Sequence, residues 1–177
     1  MHMEDRRSKI ADVALSLFIE RGYHATSTRL IAQEAGVSEG LIFRHYTNKE
    51  GLLKDLLAEG GQQMIFEVAG FISEYDPKVF ISSVIDFFFD ISDELLGYWR
   101  LKAQLEWIIT VWEPEEWERV LRDSVERVFK GMGYSKYELE AGLLLESLTG
   151  IRYGILRGSV EDVTELKALI KGKYKVI

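Results

Sequence analysis

The sequence predicts an all-α fold, and three observations support this prediction. Leu, Ile, Val and Phe recur at intervals of three and four residues rather than two, which is the spacing of one face of a helix. Only two prolines occur, Pro77 and Pro114, and each stands where a helix can begin. There is no cysteine, so disulfides and cysteine-ligated zinc are excluded, and a chain of 177 residues can form a hydrophobic core without them.

Three helices are predicted near the N-terminus. Apolar residues at i, i+3, i+4, i+7 and i+8 define one face of a first helix over about residues 4–21, and Gly22 follows where a left-handed C-terminal cap belongs. Two short helices are predicted over about residues 28–35 and 39–45, with Gly36 in the turn between them. Two short helices joined by a tight turn that contains glycine are typical of a helix-turn-helix.

A long fourth helix is predicted over about residues 48–73. It begins with a capping box in which Thr47 is the N-cap and Glu50 is the third helical residue. Gly60-Gly61 falls inside this helix, and each glycine costs on the order of 1 kcal/mol relative to alanine. We therefore expect a compliant point there, whose replacement by Ala-Ala should raise stability.

Five further helices are predicted in the rest of the chain. Asp76-Pro77 and Glu113-Pro114 each supply an N-cap followed by proline, and Gly97 separates the fifth helix from the sixth. The predicted bounds of helices five to nine are about residues 77–96, 98–111, 114–131, 136–157 and 160–173.

The net charge of -7 is unevenly distributed along the chain. Residues 1–54 hold eight Lys and Arg against seven Asp and Glu, a net charge of +1, whereas residues 55–177 hold 14 against 22, a net charge of -8. A nucleic acid is therefore expected to meet the N-terminal part. No apolar run approaches the roughly 20 residues of a membrane span, and no secretory signal is evident, so a cytoplasmic protein is expected.

The segment TSTRLIAQEAGVSEGLIFRHYTNKEGLL, residues 26–53, closely resembles the DNA-binding domain of the tetracycline-repressor (TetR) family of transcriptional regulators. The Ala-Gly-Val-Ser turn, the aromatic residue that ends the third helix and the Asn-Lys-Glu start of the fourth all stand at the family's spacing. The resemblance implies a helix-turn-helix DNA-binding domain over residues 1–47, and a helical effector-binding and dimerisation domain over residues 48–177.

The residues expected to contact DNA lie at the starts of helices two and four and along helix three. Arg44 can donate to guanine or phosphate, and Glu39 can either accept from cytosine N4 or cap its helix. Position 43 is Phe where the family usually has Tyr, so the phosphate bond of that hydroxyl is missing. For Ser27, a role as a helix cap is an equal alternative to DNA contact. For Arg29, the alternative is an ordinary surface charge. The predicted DNA-contacting residues are Ser27, Thr28, Arg29, Glu39, Gly40, Leu41, Phe43, Arg44, His45 and Lys49.

The C-terminal part is rich in aromatic residues, most of which are expected to form a packed core. The resemblance implies a ligand cavity among them, and such a lining favours an apolar or aromatic effector. The predicted ligand-binding residues are Phe66, Phe88, Trp99, Arg100, Gln104, Trp107 and Tyr153.

Glycines at positions 150, 154 and 158 are spaced by four and would lie along one face of helix eight, where another helix could approach closely. The resemblance implies that helices eight and nine form a homodimer interface. The alternative is that these glycines admit a bulky neighbour within one subunit. The predicted interface residues are Leu143, Ser147, Gly150, Ile151, Gly154, Val163, Leu166 and Ile170.

Together these features predict a ligand-responsive regulator, most simply a homodimeric repressor that an apolar or aromatic molecule releases from a palindromic DNA operator, with no cofactor and no metal. One alternative is a helical metal-dependent enzyme, because the carboxylates of Asp86, Asp90, Asp93 and Glu94 follow the spacing of one helix face. A solvated helix face explains the same residues. Another alternative is a structural DNA-binding protein without an effector.

Overall fold

The computed structural model describes residues 3–90, 92–105 and 115–176, and in these ranges it contains nine α-helices and no strand. The predicted all-α fold class is therefore confirmed. No helix in these ranges is long and apolar enough to cross a membrane. The helices are α1 Met3–Arg21, α2 Thr28–Ala35, α3 Glu39–Tyr46, α4 Lys49–Ala69, α5 Pro77–Phe89, α6 Asp93–Leu105, α7 Glu116–Gly131, α8 Tyr137–Leu156 and α9 Val163–Tyr174.

The described residues divide into two compact units. Unit 1 comprises residues 3–60 and 93–105, and unit 2 comprises residues 61–90, 92 and 115–176. Unit 1 therefore extends beyond the predicted division at residue 47, because α6 packs on α1. In unit 2, α7 packs on α8, and α5 contacts α7, α8 and α9.

Local capping explains the bounds of α1 and α2. Gly22 has φ +85°, and the buried hydroxyl of Thr26 donates to the carbonyls of Leu17 and Gly22 at 3.2 and 2.9 Å. These bonds satisfy carbonyls near the end of α1. Gly36 has φ +66° and ends α2, as predicted, because this left-handed conformation carries no steric cost for glycine.

The predicted capping box of α4 is wrong. Thr47 ends α3 with φ +62°, and its N–H donates to the carbonyl of Phe43. The N-cap of α4 is Asn48, whose Oδ1 accepts from the N–H of Gly51 at 2.7 Å. Glu50 instead pairs with Lys54 one turn further on, at 2.8 Å.

The two glycines of α4 are sites of close packing, and the expected gain from Ala-Ala is wrong. A Cβ added at Gly60 would lie 2.1 Å from Cδ2 of Tyr98, whose ring is buried. A Cβ added at Gly61 would lie 2.5 Å from Oε2 of Glu115. The helix continues through both residues without a break. The absence of side chains at Gly60 and Gly61 therefore leaves space for the neighbouring side chains.

The predicted boundary between α5 and α6 is also wrong. α5 ends at Phe89 rather than residue 96, because Asp90 leaves the helical conformation with φ −94° and ψ +89°. The guanidinium of Arg152, which is 1% exposed, donates to the carbonyls of Phe87 and Phe88 at this end. Gly97 lies inside α6, where an added Cβ would be 3.0 Å from Cδ2 of Leu15. The absence of a side chain at Gly97 therefore allows α6 to pack closely against α1.

Candidate nucleic-acid interface

Helices α2 and α3 each have a buried inner face and a more accessible outer face. Ile31 and Ala35 of α2 and Ile42 of α3 are fully buried, and Tyr46 is 5% exposed. Of the other positions of α3, Gly40, Phe43 and Arg44 are exposed, and Glu39 and Leu41 are half-buried. His45 is half-buried, and its Nε2 atom is buried. This is the division that the sequence predicts for a helix with one side available to a DNA groove.

The start of α2 combines a cap with exposed polar groups. Ser27 is the N-cap, and its Oγ accepts from the N–H of Leu30 at 3.1 Å. The capping alternative therefore holds for Ser27, and its O–H can still donate to a phosphate because the cap uses Oγ only as an acceptor. Arg29 is exposed beside it. Ser38 occupies the matching position before α3 but makes no side-chain capping bond.

Thr28 and Glu39 are the first residues of α2 and α3, and their side chains meet. Oγ1 of Thr28 donates to Oε1 of Glu39 at 2.6 Å, and both residues are half-buried. Both residues are predicted separately as DNA contacts, but this bond between the two helices is absent from the sequence predictions.

Lys49 is held inside unit 1 rather than projecting freely toward DNA, so its expected role as a simple phosphate contact needs correction. Its Nζ donates to the carbonyls of Tyr23 and Thr26, each at 2.9 Å, and lies 4.3 Å from the centre of the Tyr23 ring. Burial lowers the pKa of Lys49. The ammonium therefore fixes the loop that leads into α2.

A second network, absent from the sequence predictions, ties α1 to α3 and α4. The hydroxyl of Tyr46 donates to the carbonyl of Arg7 at 2.9 Å, while the guanidinium of Arg7 pairs with Asp55 and lies 5.6 Å from the Tyr46 ring centre. The signal in the sequence is the aromatic residue Tyr46 at the end of α3. The other members of the network, Arg7 and Asp55, lie 39 residues before it and nine residues after it.

Comparison with known proteins agrees with this architecture. Residues 10–56 match the model of the bacterial regulatory proteins of the tetR family. Residues 10–56 therefore form a DNA-binding domain of the tetR type. The chain is 44% identical over 57 residues to an HTH-type transcriptional regulator of Bacillus subtilis, YvkB, and this match spans 32% of the chain but only 30% of that relative.

Two further comparisons extend over nearly the whole chain. The fatty acid metabolism regulator protein of B. subtilis is 26% identical over 185 residues, which span 99% of this chain and 91% of that protein. The crystal structure of a transcriptional regulator from Pseudomonas aeruginosa superposes with a TM-score of 0.72 at 22% identity, over 98% of this chain and 90% of that one. The similarity in fold therefore extends well beyond the helix-turn-helix.

The residues predicted to bind an effector fall into both units. In unit 2, Phe88 and Tyr153 are buried, whereas Phe66 is 78% exposed. In unit 1, Trp99 is buried, Arg100 is exposed, and Gln104 donates its amide to the carbonyl of Ile19. This bond gives Gln104 a role in packing α6 on α1. Trp107 lies outside the described residues.

Unit 2 contains an aromatic cluster around Phe87. Its ring centre lies 5.7 Å from that of Phe71, 5.2 Å from Phe88 and 5.9 Å from Trp117. The guanidinium of Arg152 lies 5.4 Å from the Phe87 ring centre, and burial lowers the pKa of Arg152 to about 9. The sequence analysis did not single out Arg152.

The residues predicted for the dimer interface differ in accessibility. Leu143 is 52% exposed, Ser147 and Gly150 are exposed, and Ile151, Val163, Leu166 and Ile170 are half-buried. Gly154 is buried, and an added Cβ would lie 3.0 Å from Cγ2 of Val160. The alternative of a neighbour within one subunit therefore holds for Gly154. Gly158 follows the end of α8 with φ +69°, so the three glycines do not share one helix face.

Two of the four carboxylates of the metal-site alternative, those of Asp86 and Asp90, are used in ion pairs, and the side chain of Glu94 lies outside the described residues. Asp86 pairs with Lys167 at 2.6 Å and with Lys171 at 2.7 Å, and Asp90 pairs with Lys167 at 2.8 Å. Asp93 lies in α6, in unit 1, beyond the break after α5. No group of three or more possible metal ligands occurs among the described residues. The metal-enzyme alternative is therefore not supported.

Proposed function

We propose that this protein is a transcriptional repressor that binds a palindromic DNA operator as a homodimer and is released by an apolar or aromatic small molecule. The observation that carries the proposal is the outer face of α3, where Gly40, Phe43 and Arg44 are exposed opposite a fully buried inner face. A short helix with this division can enter a major groove, with Arg44 donating to a guanine or a phosphate.

The accessible surfaces of α8 and α9 favour a homodimer. Leu143 of α8 and Leu169 of α9 are 52% and 68% exposed, and an open depression along α9 is lined by Leu166, Ala168 and Leu169. Exposed apolar surface of this kind is typical of a protein interface. A two-fold dimer would place two copies of α3 one helical turn of DNA apart, about 34–36 Å.

The aromatic content of unit 2 favours an apolar effector, and the B. subtilis relative named as a fatty acid metabolism regulator fits that chemistry. We assign DNA binding to residues 1–47 and effector binding and dimerisation to residues 48–177, in the cytoplasm. No catalytic role is proposed, since the family's members compared above are named as regulators.

The test is selection of bound DNA from a genomic fragment library, followed by titration of the selected site. We expect a palindromic site that the dimer binds in the nanomolar range, about 10⁻⁸ M or tighter at physiological salt. Long-chain fatty acids, their thioesters and aromatic acids are then added one at a time. Release of DNA by one of these classes supports the effector proposal, and failure to enrich any DNA sequence contradicts the whole proposal.

A further inference from the structure

We propose that Thr28 and Glu39 form a base-reading pair that selects a cytosine in each operator half-site. This inference rests on the proposed function and specifies what the start of α3 recognises. The bond between Oγ1 of Thr28 and Oε1 of Glu39, 2.6 Å long, holds the half-buried carboxylate at the start of α3.

This bond uses one oxygen of the Glu39 carboxylate and leaves the other as a hydrogen-bond acceptor. Oε1 of Glu39 takes the hydroxyl proton of Thr28, and Oε2 has no hydrogen-bond partner among the described residues. An ionised carboxylate accepts hydrogen bonds and donates none. The pair therefore presents an acceptor to whatever approaches the start of α3.

Only some groups on DNA can satisfy such an acceptor. Phosphate oxygens repel a carboxylate, and the major-groove edges of guanine and thymine present acceptors rather than donors next to it. The exposed donors are the amino groups of cytosine and adenine, and at adenine the neighbouring N7 acceptor opposes the carboxylate. Cytosine N4 is therefore the best partner.

The surroundings of Glu39 allow a base to come close. Gly40 is exposed, and a Cβ added there would meet nothing within 4 Å. The backbone at the start of α3 is therefore unobstructed beside the carboxylate. The bond to Thr28 limits the rotation of the Glu39 side chain, and a fixed acceptor discriminates between bases better than a mobile one.

A purely structural bond between α2 and α3 is the competing explanation, and two substitutions separate it from base reading. Glu39→Gln keeps an oxygen that can accept from Thr28, so the link between the helices persists, but the amide also donates and suits adenine. Thr28→Val keeps the side-chain shape but removes the hydroxyl, so Glu39 loses its anchor. Glu34→Gln, on an exposed part of α2, is the matched control.

The experiment is selection from a random DNA pool with the full-length wild-type protein and the three variants, with folding checked by thermal melting. For the wild type we expect cytosine at one position of each half-site, preferred about tenfold. Glu39→Gln should lose that preference or replace it with adenine, Thr28→Val should weaken it, and Glu34→Gln should retain it.

The outcomes distinguish this inference from the proposed function. Enrichment of an operator by the wild type, with identical base preferences for the folded Glu39→Gln and Thr28→Val variants, overturns the base-reading pair alone. Failure of the wild type to enrich any DNA sequence overturns both. If one of the two variants does not fold, the base preferences of the other decide the question.

Discussion

Lys49 illustrates how a residue at a DNA-binding surface can act through the backbone it holds. Its ammonium donates to the carbonyls of Tyr23 and Thr26, which precede α2 by only a few residues. Thr26 in turn donates to carbonyls at the end of α1. The orientation of the first turn of α2 therefore depends on a side chain that the sequence pattern indicates as a phosphate contact.

Replacing Lys49 with Met should lower the free energy of unfolding by about 1–3 kcal/mol, because two part-buried hydrogen bonds from a charged donor are lost. DNA affinity should fall while the dependence of log K on log salt keeps its slope, because no phosphate contact disappears. Urea unfolding and titrations at several salt concentrations measure both quantities. Lys54→Met, at an exposed pair in the same helix, is the control for charge.

The contrary result for Lys49→Met is equally specific. A phosphate contact would reduce the salt slope by about 0.9 and leave the unfolding free energy unchanged. That pattern would restore the role expected from the sequence and would mean that the ammonium leaves its two carbonyls when DNA binds.

Among the helices, those fixed by local chemistry could be predicted to within a residue or two. α2 begins after Ser27, whose side chain caps it, and Gly36 at its end takes the left-handed conformation. The end of α5 could not be predicted, because it depends on Arg152, more than 60 residues further along the chain. Lys49 escaped prediction for the same reason, since its bonds span 23 and 26 residues.

The contact between α4 and α6 predicts a steric cost at Gly60. Alanine there gains on the order of 1 kcal/mol in helix propensity but places Cβ 2.1 Å from the buried ring of Tyr98. The clash should dominate and lower the free energy of unfolding by about 1–3 kcal/mol. Gly131→Ala, in α7 with nothing within 4 Å of the added Cβ, is the control and should be neutral or stabilising. Equal stability of the two variants would refute the packing role.

The ion pairs between α5 and α9 predict a pH dependence. Burial alone would raise the pKa of Asp86, but hydrogen bonds from Lys167 and Lys171 hold it below its ordinary value. A depressed folded-state pKa contributes stability above the unfolded value, and this contribution is lost as pH falls through the folded value. Because Asp86 is about one-third exposed, screening limits the effect to roughly 1 kcal/mol.

Asp86→Asn should therefore be less stable than the wild type at neutral pH, and the difference should shrink as pH falls below about 4. Urea unfolding between pH 3 and 7 measures this difference in stability, and Asp123→Asn, at an exposed position of α7, is the control. A difference that stays constant over this range would mean that the amide disturbs packing rather than an ion pair.

For the whole molecule, the proposed mechanism requires two copies of α3 to act together. Linking two half-site contacts in one dimer raises the apparent affinity by about 100-fold or more over a single contact. Leu143 of α8, 52% exposed, lies on the proposed interface, and glutamate there would bury a charge between the two copies. Leu143→Glu should therefore be monomeric in sedimentation equilibrium and should lose at least that much operator affinity, with its thermal melting showing an intact fold.

Tyr75→Glu provides the matched control for Leu143→Glu, because Tyr75 is 97% exposed and lies in the loop between α4 and α5 rather than in either proposed interface helix. It adds the same charge and should leave the dimer and the operator affinity unchanged. A Leu143→Glu protein that remains dimeric would place the interface elsewhere. A monomer that binds the operator as tightly as the wild type would instead mean that one copy of α3 is sufficient for full affinity. That result is not expected, because the first 54 residues are nearly neutral and supply little nonspecific attraction to the phosphate backbone.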